Sequence, residues 1–141
     1  MKKSVKIVIE SRQSIPGGDA LPVFVKTEGT WYEKNGSHFL LFEETGEDGA
    51  VTKSRVRIRP EQFDIKKCGE AAAHLFFEAG RKHETIYKTP FGDLTVSIHT
   101  HRVDTQISED SLKVLLTYRI SYGGGEEADC RMRFKASAIE P

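Results

Sequence analysis

The sequence has no net charge, almost no cysteine and no apolar run long enough to span a membrane. Lysine plus arginine number 21, and aspartate plus glutamate number 21. That balance removes the long-range attraction to nucleic acid or anionic lipid that a strongly basic chain would have. Cys68 and Cys130 are the two cysteines, and they form no C-x-x-C motif. Two isolated thiols fit a reducing compartment better than a disulfide framework, although the sequence leaves a single bond between them open. The N-terminal run Val5-Lys6-Ile7-Val8-Ile9-Glu10 is broken by Lys6 and stopped by Glu10. It is too short for the apolar region of a signal peptide. No other segment approaches the roughly 20 apolar residues of a membrane helix. The expectation is a cytoplasmic protein without membrane contact.

Complete catalytic motifs are also missing. No G-x-S-x-G elbow frames a serine. Gly123-Gly124-Gly125 has no helix after it and sits in a hairpin turn, so it is not a phosphate loop. Glu43 and Glu44 are adjacent on a strand and point to opposite faces, so they do not form an acid/base couple. Cys68 could be a nucleophile only if Lys66 or Lys67 stabilised its thiolate, and an inert thiol is the commoner outcome. His99 and His101 share a strand face, but no third ligand accompanies them, whereas a structural zinc site takes about four. No metal and no cofactor are expected.

What the sequence has is alternation. Its 141 residues suit one domain, residues 1–141, that buries about two thirds of its unfolded surface. Apolar residues recur at every second position in run after run, the strand period. The expected strands cover residues 4–12, 23–34, 37–44, 51–59, 63–68, 82–88, 93–103, 112–122 and 126–139. Residues 71–78 are read as a further strand, with helix as the competitor because of Ala71-Ala72-Ala73. Asn35-Gly36 between two such runs is a strong hairpin signal. Thr89-Pro90-Phe91-Gly92 places proline and glycine as a type I turn does. Short connections make sequential strands antiparallel neighbours. The fold class is therefore all-β, an antiparallel meander of about eight to ten strands closed into a barrel, with a two-sheet sandwich as the competitor that strand counting alone leaves open.

The last hairpin fixes its own register. A loop at Gly123-Gly124-Gly125 pairs Ile120 with Ala128 and Tyr118 with Cys130, aligning two apolar rows. The same register sets Arg119 against Asp129 outside, and a slip of one residue would lose both agreements. Carried backward, this reasoning pairs Tyr87 with Leu94, Thr85 with Val96 and His83 with Ile98. A turn at Ala79-Gly80-Arg81 then sets Phe77 beside His83 and Leu75 beside Thr85. The inward row of His83, Thr85 and Tyr87 is more polar than a core needs. It reads either as satisfied core polarity or as the polar end of a cavity.

Two basic stripes alternate along strands: Lys53, Arg55, Arg57 and Arg59, and Arg131, Arg133 and Lys135. No aromatic residues interleave with them, so a solvated outer face is favoured over nucleic-acid binding. Gly29 within a strand suggests a close backbone approach. Trp31, the single tryptophan, is expected to plug one end of the core.

The segments Gly29-Thr30-Trp31-Tyr32, Phe42-Glu43-Glu44-Thr45, Lys67-Cys68-Gly69, Tyr87-Lys88-Thr89-Pro90-Phe91-Gly92 and Leu115-Leu116-Thr117-Tyr118 occur in order over nearly the whole chain. In these the sequence resembles the YwiB-like family, small uncharacterised bacterial proteins with a lipocalin-like (calycin-type) barrel. The resemblance implies that fold and no activity.

Three functions are weighed. The first is a barrel that binds a small, partly apolar ligand, with His83, Thr85, Tyr87, Tyr118 and Glu44 orienting its polar end. The second is an interaction module using Arg55, Arg57 and Arg59 against an acidic partner or RNA. The third, to which the sequence gives least support, is an enzyme with Glu44 or His83 as base. A homodimer is expected if an edge strand is left unpaired.

Overall fold

The computed structural model describes residues 2–15, 18–19, 22–69, 72–123 and 125–139. Its elements are β1 (Lys2–Ile15), β2 (Gly18–Asp19), β3 (Val23–Lys34), β4 (Ser37–Thr45), β5 (Val51–Arg59), β6 (Gln62–Cys68), β7 (Ala73–Glu78), β8 (Lys82–Thr89), β9 (Gly92–Ile107), β10 (Ser111–Tyr122) and β11 (Glu126–Ala138). Among the described residues no helix forms, so none could cross a membrane. The 71–78 segment is strand from Ala73 onward, and Ala71 lies outside the described residues. Its flanking ladder with β6, Phe63 opposite Phe77 and Ile65 opposite Leu75, overrides the helix preference of the alanines.

Ten strands run in the order β7-β6-β5-β4-β3-β1-β11-β10-β9-β8, with the two-residue β2 attached to the end of β1. All their ladders are antiparallel. β1 joins the two halves of the meander because it pairs with β3 on one side and β11 on the other. The barrel is nearly closed. Its seam lies between β7 and β8, where among the described residues a single bridge, Ala72 with Lys88, links the strands.

That seam corrects one expectation. The bridge sits in the register that would set Phe77 beside His83 and Leu75 beside Thr85, but the ladder between those pairs does not form. The turn is held from another side. Gly80 N–H donates to the Thr100 carbonyl and Thr100 N–H to the Arg81 carbonyl, extending the β8–β9 ladder into the turn. The start of β8 follows β9 and leaves β7.

The other registers agree with the sequence. Ile120 pairs with Ala128, Tyr118 with Cys130, and Arg119 with Asp129, with Arg119 Nε 3.0 Å from the carboxylate. Tyr87, Thr85 and His83 pair with Leu94, Val96 and Ile98, and Ile86 faces outward. Asn35 and Gly36 both take positive φ, 53° and 79°, in a two-residue turn. Gly29 is required by contact. A Cβ there would lie 2.4 Å from the Leu41 carbonyl oxygen and 2.9 Å from Ile7 Cδ1.

Alternate turns fall at alternate ends. One end, the base, carries the turns after β3, β5, β7 and β9. The other, the mouth, carries those after β4, β6, β8 and β10 and the link from β1 to β3. The base is packed. Trp31, Leu40, Ile58, Phe63, Phe77 and Leu112 are buried there, and Trp31 Nε1 donates to His38 Nδ1 at 3.0 Å. Phe63 meets Phe77 and Phe134 edge-on at 5.9 and 5.5 Å between ring centres, a favourable aromatic arrangement.

Candidate functional site

Inward-facing side chains change character along the barrel. At the base they are shut from solvent. Toward the mouth Thr27, Thr52, Leu75, Thr85, Tyr87 and Met132 face inward and are only half-buried. The apolar rim continues outside. Val23, Phe24, Val51, Phe91 and Leu94, all at mouth ends of strands or in mouth turns, are exposed, Phe91 completely. Leu41, Ile86, Ile107 and Ile139 are exposed elsewhere on the barrel.

The polar groups at this end come from several strands. Glu44 ends the inward row of β4, opposite Thr52 of β5. Lys67 of β6 shares the inner face with Ser54, its cross-strand neighbour. Ser54 is buried, and its Oγ has no hydrogen-bond partner among the described residues. Gln13 Nε2 donates to the Tyr122 hydroxyl at 3.3 Å. The mouth end of the barrel thus carries a carboxylate, an ammonium and hydroxyls beside apolar side chains.

The five residues expected to orient a ligand separate here. Glu44 and Tyr87 stand at the mouth, and Thr85 lies one inward step deeper on β8. His83 is further toward the base, roughly 13 Å along the strand from Tyr87. Its ring lies 5.4 Å from that of Phe76, across the open seam. Tyr118 belongs to the core. Its ring meets Phe77 edge-on at 4.8 Å and its hydroxyl is turned to Cys130. Burial pushes that hydroxyl far above the ordinary tyrosine value, with the neighbouring thiol adding to the effect. The Cys130 thiol is raised as well, chiefly by burial. Ser54, Gln13 and Tyr122 were not singled out by sequence reasoning, and Lys67 was weighed there only as a stabiliser of the Cys68 thiolate. Lys67 belongs to the Lys66-Lys67 pair, and strand parity alone marks it as the inward one once Ile65 is placed in the core.

The arginine stripe of β5 proves to be three different environments on the outer wall. Arg57 Nε donates to Asp64 at 2.8 Å, and His74 Nε2 approaches the other carboxylate oxygen at 3.0 Å. Asp64 is only 4% exposed although it faces outward, because Arg57, His74 and Phe76 cover it. Arg59 Nε donates to Ser37 Oγ at 3.2 Å. Arg55 differs: its Nε is shut from solvent with no partner among the described residues. A buried donor without an acceptor costs about 1–3 kcal/mol, more when the group is charged. Arg55 borders an outer groove of about 630 Å³ with Leu41, Glu43, Lys53, Lys66 and Cys68.

The second basic stripe forms a face with its neighbours. Arg131, Arg133 and Lys135 of β11 stand beside Lys113 of β10. Among the described residues none of these four makes an ion pair, whereas Arg12 and Arg102 nearby pair with Glu10 and Asp104. His99 and His101 do not share a regular ladder. The register shift against Thr117 and Tyr118 leaves His101 without a cross-strand partner, and the two rings lie 4.9 Å apart in solvent. Among the described residues no three histidines, cysteines or carboxylates converge on a metal position. Both thiols are free, Cys68 exposed and Cys130 buried.

Residues 7–134 match a family model described as a domain of unknown function, DUF1934. The chain is 22% identical over 128 residues to an uncharacterized beta-barrel protein, YwiB, of Bacillus subtilis (strain 168), covering 90% of this chain and 89% of that protein. It superposes on the crystal structure of the ywiB protein from Bacillus subtilis with a TM-score of 0.88 at 17% identity, over 99% of this chain and 94% of that one.

Proposed function

The chain belongs to the DUF1934 family, barrel domains of unknown function, and on that premise we propose that it is a cytoplasmic protein that binds one small, partly apolar ligand in the mouth of its barrel. One observation carries the reading: inward side chains are shut from solvent at the base but only half-buried toward the mouth, where Val23, Phe24, Val51, Phe91 and Leu94 are exposed. A cup there, apolar with a few polar groups, has the usual chemistry of a small-molecule site. Thr85 and Tyr87 supply hydroxyls on one wall, while Glu44 and Lys67 offer charge on the other. His83 and Tyr118 support the cup from outside it, through the seam and the core. Free thiols at Cys68 and Cys130 fit a reducing cytoplasm. Lipocalin-like carriers use small barrels in the same way.

Two measurements test this. Native mass spectrometry of protein purified from its own host is expected to show a bound small molecule. A neutral apolar dye, N-phenylnaphthylamine, is expected to fluoresce on binding the wild type, and Thr85→Trp, which fills the cup, is expected to abolish that signal while leaving the fold intact by circular dichroism. Dye binding unchanged in Thr85→Trp would rule the mouth out.

A homodimer has a specific support of its own in the seam, where β7 and β8 share a single bridge among the described residues and leave edge groups available to a second copy. Sedimentation velocity over a range of concentrations tests it. A single monomeric species throughout would dismiss it.

A further inference from the structure

We propose a second site, on the outer wall: the groove over β4, β5 and β6 takes a small oxyanion on a compact apolar body, with the anion held between Arg55 and Lys66. This inference does not rest on the mouth.

The register builds the site. Leu41, Arg55 and Lys66 stand in one cross-strand row on the outer face. Glu43, Lys53 and Cys68 form the next row toward the mouth. The two carboxylates at this groove each have a cationic neighbour: Glu43 stands opposite Lys53, and Glu28 opposite Lys6. Arg55 and Lys66 stand side by side with no such counter-charge. Adjacent like charges repel, so this row is held at a cost that an anion would remove.

Arg55 adds a second, independent mark. Arginine stays protonated at any physiological pH, so its buried Nε always needs an acceptor. Arg57 and Arg59, two and four residues along the same strand, both have one at Nε. Arg55 and Lys66 both border the groove, where one oxygen of a phosphate or carboxylate would meet the Arg55 guanidinium while a second oxygen meets Lys66. Leu41, 39% exposed, supplies an apolar wall for the rest of the ligand. The Cys68 thiol at the groove's rim is a built-in reporter, because Cys130 is buried and will not react with it.

The probes are inorganic phosphate and phenyl phosphate, with sodium chloride at matched ionic strength as the control. Amide NMR of the full chain is expected to show shifts confined to β4, β5 and β6. Alkylation of Cys68 by neutral iodoacetamide is expected to slow as phenyl phosphate saturates. Phenyl phosphate should bind more tightly than inorganic phosphate if Leu41 is used. Arg55→Gln is expected to weaken binding at least about tenfold. Lys66→Gln is the second variant, should Arg55→Gln fold poorly, and Arg131→Gln on the opposite face should bind as the wild type does. Shifts centred on β9–β11, equal binding by Arg55→Gln or Lys66→Gln, or equal effects of chloride would overturn the proposal.

Discussion

At the scale of single residues, environment separates side chains that look alike. Arg55, Arg57 and Arg59 recur with a strict period of two, yet one meets a buried carboxylate, one a serine hydroxyl and one nothing at Nε. Tyr118 and Tyr87 both face inward, but Tyr118 is core and Tyr87 is half-buried at the mouth. Tyr118 has a consequence for stability. Its folded-state pKa is raised, so the unfolded chain ionises first as pH climbs past about 10. The stability it contributes is complete below that value and is lost as pH rises further, since the unfolded state then binds fewer protons than the folded one. Urea unfolding followed from pH 8 to 11 is expected to steepen in its pH dependence above about 10, by up to about 1.4 kcal/mol per pH unit for this one group. Tyr118→Phe should remove that part of the slope. An equally steep loss in the variant would assign it to other groups.

At the scale of elements, the β7–β8 seam is the weak join of an otherwise continuous sheet. β10 and β11 share an unbroken ladder from Ser111 opposite Ser137 to Tyr122 opposite Glu126. Among the described residues β7 and β8 share one bridge, and the turn between them is bonded to β9. Backbone groups that face the seam therefore lack the partners that protect amides from solvent. Hydrogen exchange is expected to be fastest, within the strands, at the amides of 74–78 and 82–86 that point across the seam. Those of Val114–Tyr118, in the unbroken ladder, should be among the slowest. Uniform protection around the barrel would show the seam to be closed in solution.

At the scale of the whole molecule, zero net charge hides an uneven surface. Arg131, Arg133, Lys135 and Lys113 stand together on the outside of β10 and β11 without ion pairs among the described residues. Charges this close act as a unit on anything within the roughly 8–10 Å reach of unscreened attraction. The protein is expected to be retained on a sulfonate cation exchanger at pH 7 and low salt despite its balanced composition. The double variant Arg133→Glu/Lys135→Glu should pass through unretained. Flow-through of the wild type would show that acidic groups elsewhere neutralise the face.

The sequence by itself determined the strands, the registers of the last hairpin and of the β8–β9 pair, and the inner face of that C-terminal half, because a period of two and the turn residues act locally and leave few alternatives. The last hairpin was legible down to the Arg119–Asp129 pair, since apolar alignment and charge alignment demanded the same register. The sequence also singled out Gly29, though not the Leu41 carbonyl that excludes a side chain there. Only the tertiary structure decided how the sheet closes, because the splayed β7–β8 pair depends on Thr100, a residue of a third strand bonding to the turn. Only it separated His83 from Glu44, because the position of two different strands along a barrel axis follows from which turns share an end. The Arg57–Asp64–His74 cluster and the unpaired Arg55 were hidden for the same reason. Cross-strand neighbours three strands deep are set by the accumulated register of the sheet, not by any spacing along the chain.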